Sequence, residues 1–164
     1  MQELVFNGKK YRLPSLLNDF QQEMYIHLIN WKWRNITTEP GIYRGEEYDA
    51  IISKPIQDSY PVLYHKIRDA LKKHHHKFPF RIHKFFHHMA SSQAANVNLF
   101  LPILLHENAD DILKQLKPDF IRLAKSKLDN GFRIEFWDEP YNNLNDKNKT
   151  SGTDSDIAIA PVQQ

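Results

Sequence analysis

The amino-acid sequence predicts an α+β protein that is mostly helical and carries a small sheet. Helical segments are indicated from about residues 14, 61, 91 and 108, where apolar spacings of three and four or helix-starting residues occur. Two short strands are indicated late in the chain. Phe132, Ile134 and Phe136 alternate with polar or charged residues, and the apolar run 157–160 lies between turn-forming residues and a proline. Several helices and few strands are the basis of the α+β prediction.

Composition restricts the classes of protein to which the chain can belong. A length of 164 residues predicts one domain, and an apolar fraction of 41% suffices for a modest core. The absence of cysteine excludes disulfides, thiolate metal sites and a cysteine nucleophile. Neither a signal peptide nor a membrane span is indicated, so we expect a cytoplasmic protein. Within it, residues 1–60 are expected to form a helix and a long loop, 61–160 the core and 161–164 a tail.

The predicted helices differ in how clearly their ends are marked. The first opens at Pro14-Ser15 and presents one apolar stripe, formed by Leu17, Phe20, Met24, Leu28 and Trp31. The segment 35–60 is interpreted as a loop with an extended piece at 48–53. Further helices are predicted over 62–75, from Ser91-Ser92 to a stop at Pro102, and from Asn108. Pro118 is expected to restart a helix that ends at 130–131.

Basic and aromatic residues are concentrated between positions 66 and 88. This stretch contains one acidic residue, Asp69, and interleaves phenylalanines with its positive charges. Such a mixture is typical of proteins that bind the phosphate backbone of nucleic acids. The alternative is a solvated helix face whose aromatic residues turn into the core. On the first interpretation the DNA-binding residues are Lys72, Lys73, Lys77, Arg81 and Lys84.

Acidic residues near the end of the chain are candidate metal ligands. Asp156 directly precedes the apolar run, and Asp154 stands two residues earlier. Carboxylate oxygens at the start of a rigid strand suit a hard divalent cation. Glu135 would be a second ligand if its strand pairs with the run 157–160; its alternative role is an exposed ion pair with Arg133 or a lysine. The two aspartates can also be explained as turn residues that bond their own backbone.

Four segments in this order resemble a bacterial restriction-endonuclease-like family of the PD-(D/E)xK nuclease superfamily. The resemblance covers Trp31 to Ala160, and its segments are 88–102, 131–137, 143–147 and 152–160. It implies that Asp156 matches the Asp that binds Mg²⁺, and that the helix carrying Gln93 packs beside the catalytic strands. Gln93 then either points toward the site or pairs with the local backbone. The superfamily's Glu-x-Lys is not found after Asp156.

The resemblance and the residue patterns together predict a DNA-directed, Mg²⁺-dependent endonuclease family member that is truncated and inactive. The small sheet would then be an incomplete restriction-endonuclease-like sheet, with 157–160 as an open edge. Another copy of the chain or a partner strand would be able to pair along such an edge. Two other functions stay open: a non-catalytic nucleic-acid-binding module that uses residues 66–88, and a helical protein-interaction domain.

Overall fold

The computed structural model describes residues 1–136 and 155–163. Of these residues 40% are helical and 22% lie in strands, which confirms the α+β class with more helix than strand. Within the described ranges the strands form four two-stranded antiparallel sheets. The chain divides into two compact units. The first unit comprises Met1–Arg68 and Lys84–Ala94, and the second comprises Asp69–His83 and Ala95–Gln164.

The first unit begins with a β-hairpin made by β1 (Gln2–Phe6) and β2 (Lys9–Leu13). Its turn is Asn7-Gly8, and both residues have positive φ, 48° and 73°. This is the backbone of the two-residue turn that matches the twist of paired strands, and Asn-Gly is a preferred sequence for it.

Helix α1 (Asp19–Asn35) starts later than Pro14-Ser15, because Asn18 and Gln21 form a capping box at its N-terminus. The predicted apolar stripe is also wrong. Phe20, Met24 and Trp31 are 70%, 42% and 42% exposed. The residues that α1 buries are Ile26, Ile29 and Lys32.

The core of the first unit explains which face of α1 is buried. Ile26 and Ile29 pack with Tyr11 and Leu13 of β2 and with Ala50. Trp33 stacks on Tyr11 with ring centroids 5.1 Å apart. Helix α1 carries apolar residues on more than one face, and the N-terminal hairpin covers the face that contains the two isoleucines.

Residues 35–60 contain regular structure where a loop was predicted. Strands β3 (Gly41–Tyr43) and β4 (Glu46–Tyr48) form a second hairpin, and a 3-10 helix covers Lys54–Ser59. The turn residues Arg44 and Gly45 again have positive φ, 52° and 80°. The second hairpin was missed because each strand has only three residues.

Backbone bonds attach residues 87–89 to the chain that follows β4. The Ile52 N–H donates to the His87 carbonyl at 2.9 Å, and the Met89 N–H donates to the Ala50 carbonyl at 2.8 Å. Ile51 and His88 form a β-bridge between these two bonds. Residues 84–94 therefore complete the first unit although they are distant from it in sequence.

Buried charged groups hold the C-terminal end of β4. The Asp49 carboxylate accepts the Arg12 backbone N–H at 2.7 Å and the Arg12 Nη2 at 2.8 Å, while the outer nitrogen of the guanidinium contacts exposed Glu47. Lys32 is fully buried and donates to the carbonyls of Glu39 and Asp49. Burial lowers the pKa of Lys32 to about 8. This cluster ties β2, α1 and the second hairpin together.

Helix α2 ends at Lys77, close to the predicted position, and all of its residues except Arg68 belong to the second unit. It begins at Arg68, because a 3-10 helix at His65–Ile67 takes the place of the predicted first turn. Helix α3 (Ser92–Leu104) runs through Pro102, so the predicted stop there is wrong. Proline removes one backbone donor, and the burial of Leu101 and Leu104 offsets that loss in the last turn.

Helix α4 (Ala109–Leu116) confirms the helix predicted from Asn108. The helix predicted after Pro118 is instead β5 (Phe120–Leu123), which pairs with β8 (Pro161–Gln163). The predicted tail thus contributes a strand. The two strands predicted late in the chain are confirmed as β6 (Phe132–Phe136) and β7 (Ser155–Ile159). Among the described helices none is long and apolar enough to cross a membrane.

Candidate functional site

Strands β6 and β7 bring the two predicted carboxylate positions opposite each other. Ile134 pairs with Ile157 and Phe136 pairs with Ser155, so Glu135 and Asp156 are the positions between these two pairs. Opposite residues of an antiparallel pair have Cβ atoms roughly 4.5–5.5 Å apart in a regular ladder. This is the adjacency on which the prediction of a shared metal ion depends, and the shared ion itself stays a prediction.

Glu135 departs from regular strand geometry. Its φ of 56° is left-handed, which costs a non-glycine residue about 1–3 kcal/mol and which is frequent at functional sites. The side chain is half-buried. Asp154, the other predicted metal ligand, lies outside the described residues, as does the segment 137–153.

Glu135 also lines an open concavity of about 480 Å³ in the second unit. Other lining residues are Lys77, Phe80, Asp129 and Arg133. Arg133 binds Asp129 through two parallel bonds, Nε to Oδ2 at 2.9 Å and Nη2 to Oδ1 at 2.7 Å. The Asp129 carboxylate raises the pKa of Arg133, and the two charges neutralise each other. A lysine and a glutamate thus share one concavity beside a compensated ion pair.

His74 holds the basic helix α2 against β6. Its ring is buried and stacks on Phe132, with centroids 4.9 Å apart and planes 11° apart. Burial lowers the pKa of His74, so the ring is neutral at pH 7. Lys77 follows His74 by nearly one helical turn, and this contact explains why Lys77 and Glu135 face the same concavity.

Four of the five predicted DNA-binding residues belong to the second unit. Lys72, Lys73, Lys77 and Arg81 are exposed, on α2 or shortly after it. The Lys77 ammonium lies 5.0 Å from the centre of the Phe78 ring. Lys84 belongs to the first unit. The DNA-binding role of these residues stays a prediction.

Gln93 is almost fully buried, 2% exposed, near the start of α3. The predicted helix start there is confirmed, since the Ser91 hydroxyl accepts the Ala94 N–H at 3.2 Å. Gln93 belongs to the first unit, whereas Glu135 and Asp156 belong to the second. Its predicted orientation toward the metal site is not tested by the structure.

Sequence reasoning missed Asp129 as part of this concavity. Arg133 follows Asp129 by four residues, a spacing at which opposite charges pair on a helix. The turn at 130–131 shows that the two residues do not lie on one helix, although they do pair. Across the side chains that the structure describes, no group of three or more histidine, aspartate or glutamate residues is placed to hold a metal ion.

These observations define the chain as a small α+β protein in which an exposed basic helix packs beside two facing acidic positions. The model of a family described as "Restriction Endonuclease associating with ARP" matches residues 26–163, and the chain belongs to this family. No curated protein and no solved structure matches the chain. The predicted restriction-endonuclease relationship is confirmed at the level of this family.

Proposed function

We propose that this protein is a DNA-directed member of a Mg²⁺-dependent nuclease family of the PD-(D/E)xK type. The observation that carries the proposal is the concavity of the second unit, which Lys77 and Glu135 both line, together with the strand position of Asp156 opposite that of Glu135. A cation for phosphate and a carboxylate for a metal ion are the two groups that phosphodiester chemistry requires at one place. Membership of a restriction-endonuclease family supports this assignment.

The exposed cations of the second unit supply the affinity for DNA. Lys72, Lys73, Lys77 and Arg81 follow one another along α2 and its continuation, so we propose that each neutralises one phosphate. Release of condensed counterions then gives a slope of log K against log salt of about −3.6. Between 50 and 200 mM salt the affinity should fall ~150-fold, since the change is fourfold in salt raised to that power.

Glu135 and Asp156 fit the donor chemistry of a magnesium site. Mg²⁺ is commonly bound by one or two carboxylates, with waters and substrate phosphates completing its octahedron. A bound ion would polarise the phosphate and lower the pKa of an attacking water. Asp129 is not assigned to the site, because Arg133 binds both of its carboxylate oxygens.

Lys77 is the lysine that we propose faces the phosphate. The residues after Asp156 contain no Glu-x-Lys, the element that the resemblance places there. Lys77 reaches the concavity from α2 rather than from a strand, so its position relative to the carboxylates differs from the expected one. We therefore propose that residues 1–164 bind duplex DNA without hydrolysing it at a detectable rate.

The family description also speaks of association with ARP. We propose a protein partner for this chain on that basis. Strand β7 has β6 as its one strand neighbour among the described residues, which leaves its other edge as a place for strand addition.

The DNA-binding part is tested with the quadruple variant K72A/K73A/K77A/R81A. We expect the salt slope for duplex DNA to flatten by most of its value of about −3.6. The matched control replaces four other exposed lysines of the second unit, Lys114, Lys117, Lys125 and Lys127. It changes the net charge equally and should change the slope much less. Equal effects of the two variants would show that only total charge matters, and an unchanged slope in the first would refute the proposal.

The metal part is tested by titrating Mn²⁺ and following the free ion by electron paramagnetic resonance. We expect binding that is lost in Glu135→Gln and in Asp156→Asn, and retained in Asp129→Asn. Retained binding in both of the first two variants would remove these carboxylates from the proposed site. The second candidate, a nucleic-acid-binding module without metal chemistry, is favoured if DNA binding follows α2 and no Mn²⁺ binds.

A further inference from the structure

The first unit contains a pocket whose walls are mostly aromatic. Its volume is about 330 Å³, at the lower end of the range for small-molecule sites. The walls come from α1, from the β3–β4 hairpin and from residues 85–91. The aromatic rings among its lining residues are those of Tyr25, Tyr43, Tyr48, Phe85 and His88.

These rings contact one another edge to face. Tyr43 meets Phe85 with centroids 5.1 Å apart and planes at 61°, and it meets Tyr48 at 6.4 Å and 61°. Tyr25 meets His88 at 5.5 Å and 74°. These three contacts line the pocket with aromatic rings held at steep angles to one another. A planar heteroaromatic ring gains most from such walls, because stacking requires only a π-face.

One polar group of defined protonation stands in this wall. The Ala90 N–H donates to His88 Nδ1 at 3.0 Å, which places the proton of the neutral ring on Nε2. Burial lowers the pKa of His88 to about 4, so the ring carries no charge at pH 7. Nε2–H is thus the one donor that the ring has for a ligand, and nucleobases present ring nitrogens and carbonyl oxygens as acceptors.

Two cations flank the pocket. The Arg44 guanidinium lies 5.3 Å from the centre of the Tyr43 ring, and the Lys84 ammonium lies 4.9 Å from the centre of the Phe85 ring. Both side chains are exposed. Aromatic platforms for bases, together with cations for the backbone, are the combination that proteins use to bind single-stranded nucleic acids.

An aromatic pocket of this kind also suits a quaternary ammonium group. Glu46, which accepts the Tyr48 hydroxyl at 2.9 Å, supplies a negative charge nearby. Arg44 and Lys84 oppose a cationic ligand, however, and each lies over a ring of the wall itself. The charge pattern therefore favours an anionic strand whose base enters the pocket.

We propose that the first unit binds one unstacked base of a nucleic-acid strand in the pocket formed by Tyr25, Tyr43, Phe85 and His88, with Arg44 and Lys84 on the adjoining phosphates. This inference rests on the proposed nucleic-acid function, but none of its residues belongs to the second unit. The first unit would hold a single-stranded or locally opened segment, a different substrate from the duplex assigned to α2.

The test uses a short thymidine strand that carries one 2-aminopurine, whose fluorescence falls when the base stacks. We expect binding with quenching, and an affinity about 5- to 150-fold weaker in Tyr43→Leu, the range for one stacked base. Tyr43→Phe keeps the ring and should bind like the parent protein. Phe20→Leu is the matched control, since Phe20 is an exposed aromatic residue of α1 outside the pocket. The double variant R44A/K84A should flatten the salt slope for the strand by about 1.4.

Duplex binding, measured in parallel, separates this proposal from the preceding one, and urea unfolding of each variant reports whether the first unit is folded. If Tyr43→Leu binds the strand as Phe20→Leu does, the pocket proposal is overturned while duplex binding stands. If free 2-aminopurine deoxyriboside binds as tightly as the strand, the assignment to a strand is overturned in favour of a free nucleoside. Displacement by millimolar tetramethylammonium, with no displacement by the nucleoside, would overturn base recognition itself.

Discussion

Replacing Asp49 by alanine should destabilise the first unit more than any change to an exposed charge near it. The carboxylate is 2% exposed and accepts three bonds from Arg12, two from the guanidinium and one from the backbone N–H. Removing one partner of a buried pair commonly costs about 3–5 kcal/mol, because the remaining charge loses its compensation. The Arg12 side chain is 29% exposed and retains Glu47, so water recovers part of the loss. We therefore expect Asp49→Ala to lower the free energy of unfolding by about 3 kcal/mol.

The matched control is Glu47→Ala. Glu47 binds the same arginine, but its side chain is 54% exposed, and surface pairs are worth about 0–1 kcal/mol. Asp49→Asn keeps the shape and loses the charge, and it should fall between the two. Urea unfolding is followed by tryptophan fluorescence, to which Trp31 and Trp33 of α1 contribute together with Trp137. If Asp49→Ala and Glu47→Ala cost the same within about 0.5 kcal/mol, the buried carboxylate does not have the role described.

Three further predictions concern the pocket, the second hairpin and catalysis. The pKa of His88 in the folded protein, about 4, lies below its ordinary value, so acidification protonates this histidine in the unfolded chain first. The free energy of unfolding should therefore fall by about 2 kcal/mol from pH 7 to pH 5 on account of His88. Urea unfolding at both pH values should show that His88→Gln lacks this contribution. Gly41→Ala should lower the stability measured by thermal unfolding by about 1–3 kcal/mol, because the new Cβ would lie 2.7 Å from the Ile52 carbonyl oxygen. The control is Gly8→Ala, whose Cβ meets no neighbouring atom, so it tests only backbone strain. Plasmid nicking by residues 1–164 with Mg²⁺ should be undetectable, and nicking that disappears in Asp156→Ala would contradict this.

The sequence predicted correctly those helices and strands whose own residues carry the pattern. The alternation around Ile134 and the apolar run 157–160 gave strands, and Asn108 with acidic residues in the next turn marked α4. The strand β5 was mistaken for a helix because its partner β8 lies about 40 residues away in the sequence. Pairing over such a distance leaves no periodic mark in a four-residue segment.

The turn residues of both hairpins are signals in the sequence from which these hairpins can be predicted. Asn7-Gly8 is a strong two-residue hairpin signal, and Arg44-Gly45 is a weaker one, since arginine adopts positive φ less readily. The buried face of α1 was not predictable from spacing alone, because Phe20 and Ile29 belong to alternative apolar faces and only the position of the first hairpin selects between them.

The two candidate sites also differ in how far the sequence alone predicts them. The facing of Glu135 and Asp156 follows from pairing two strands that the sequence predicts, so this adjacency was foreseeable. The aromatic pocket was not, because Tyr25, Tyr43 and Phe85 come from three separate segments and no local pattern relates them.

The order in which the chain visits its two units has a consequence for how the protein is made and cut. The polypeptide leaves the first unit after Arg68, returns to it at Lys84 and leaves it again after Ala94. No single cleavage of the chain therefore yields the two units as separate pieces. During synthesis the first unit lacks its last segment until residue 94 has been made. By then the residues of α2 have already been synthesised. A nick anywhere between residues 69 and 83 would detach neither unit, but it would divide the second unit's first segment. Fragments that end near residue 68 should be degraded rather than accumulate, because they carry the β3–β4 hairpin without the residues 87–89 that bond to it.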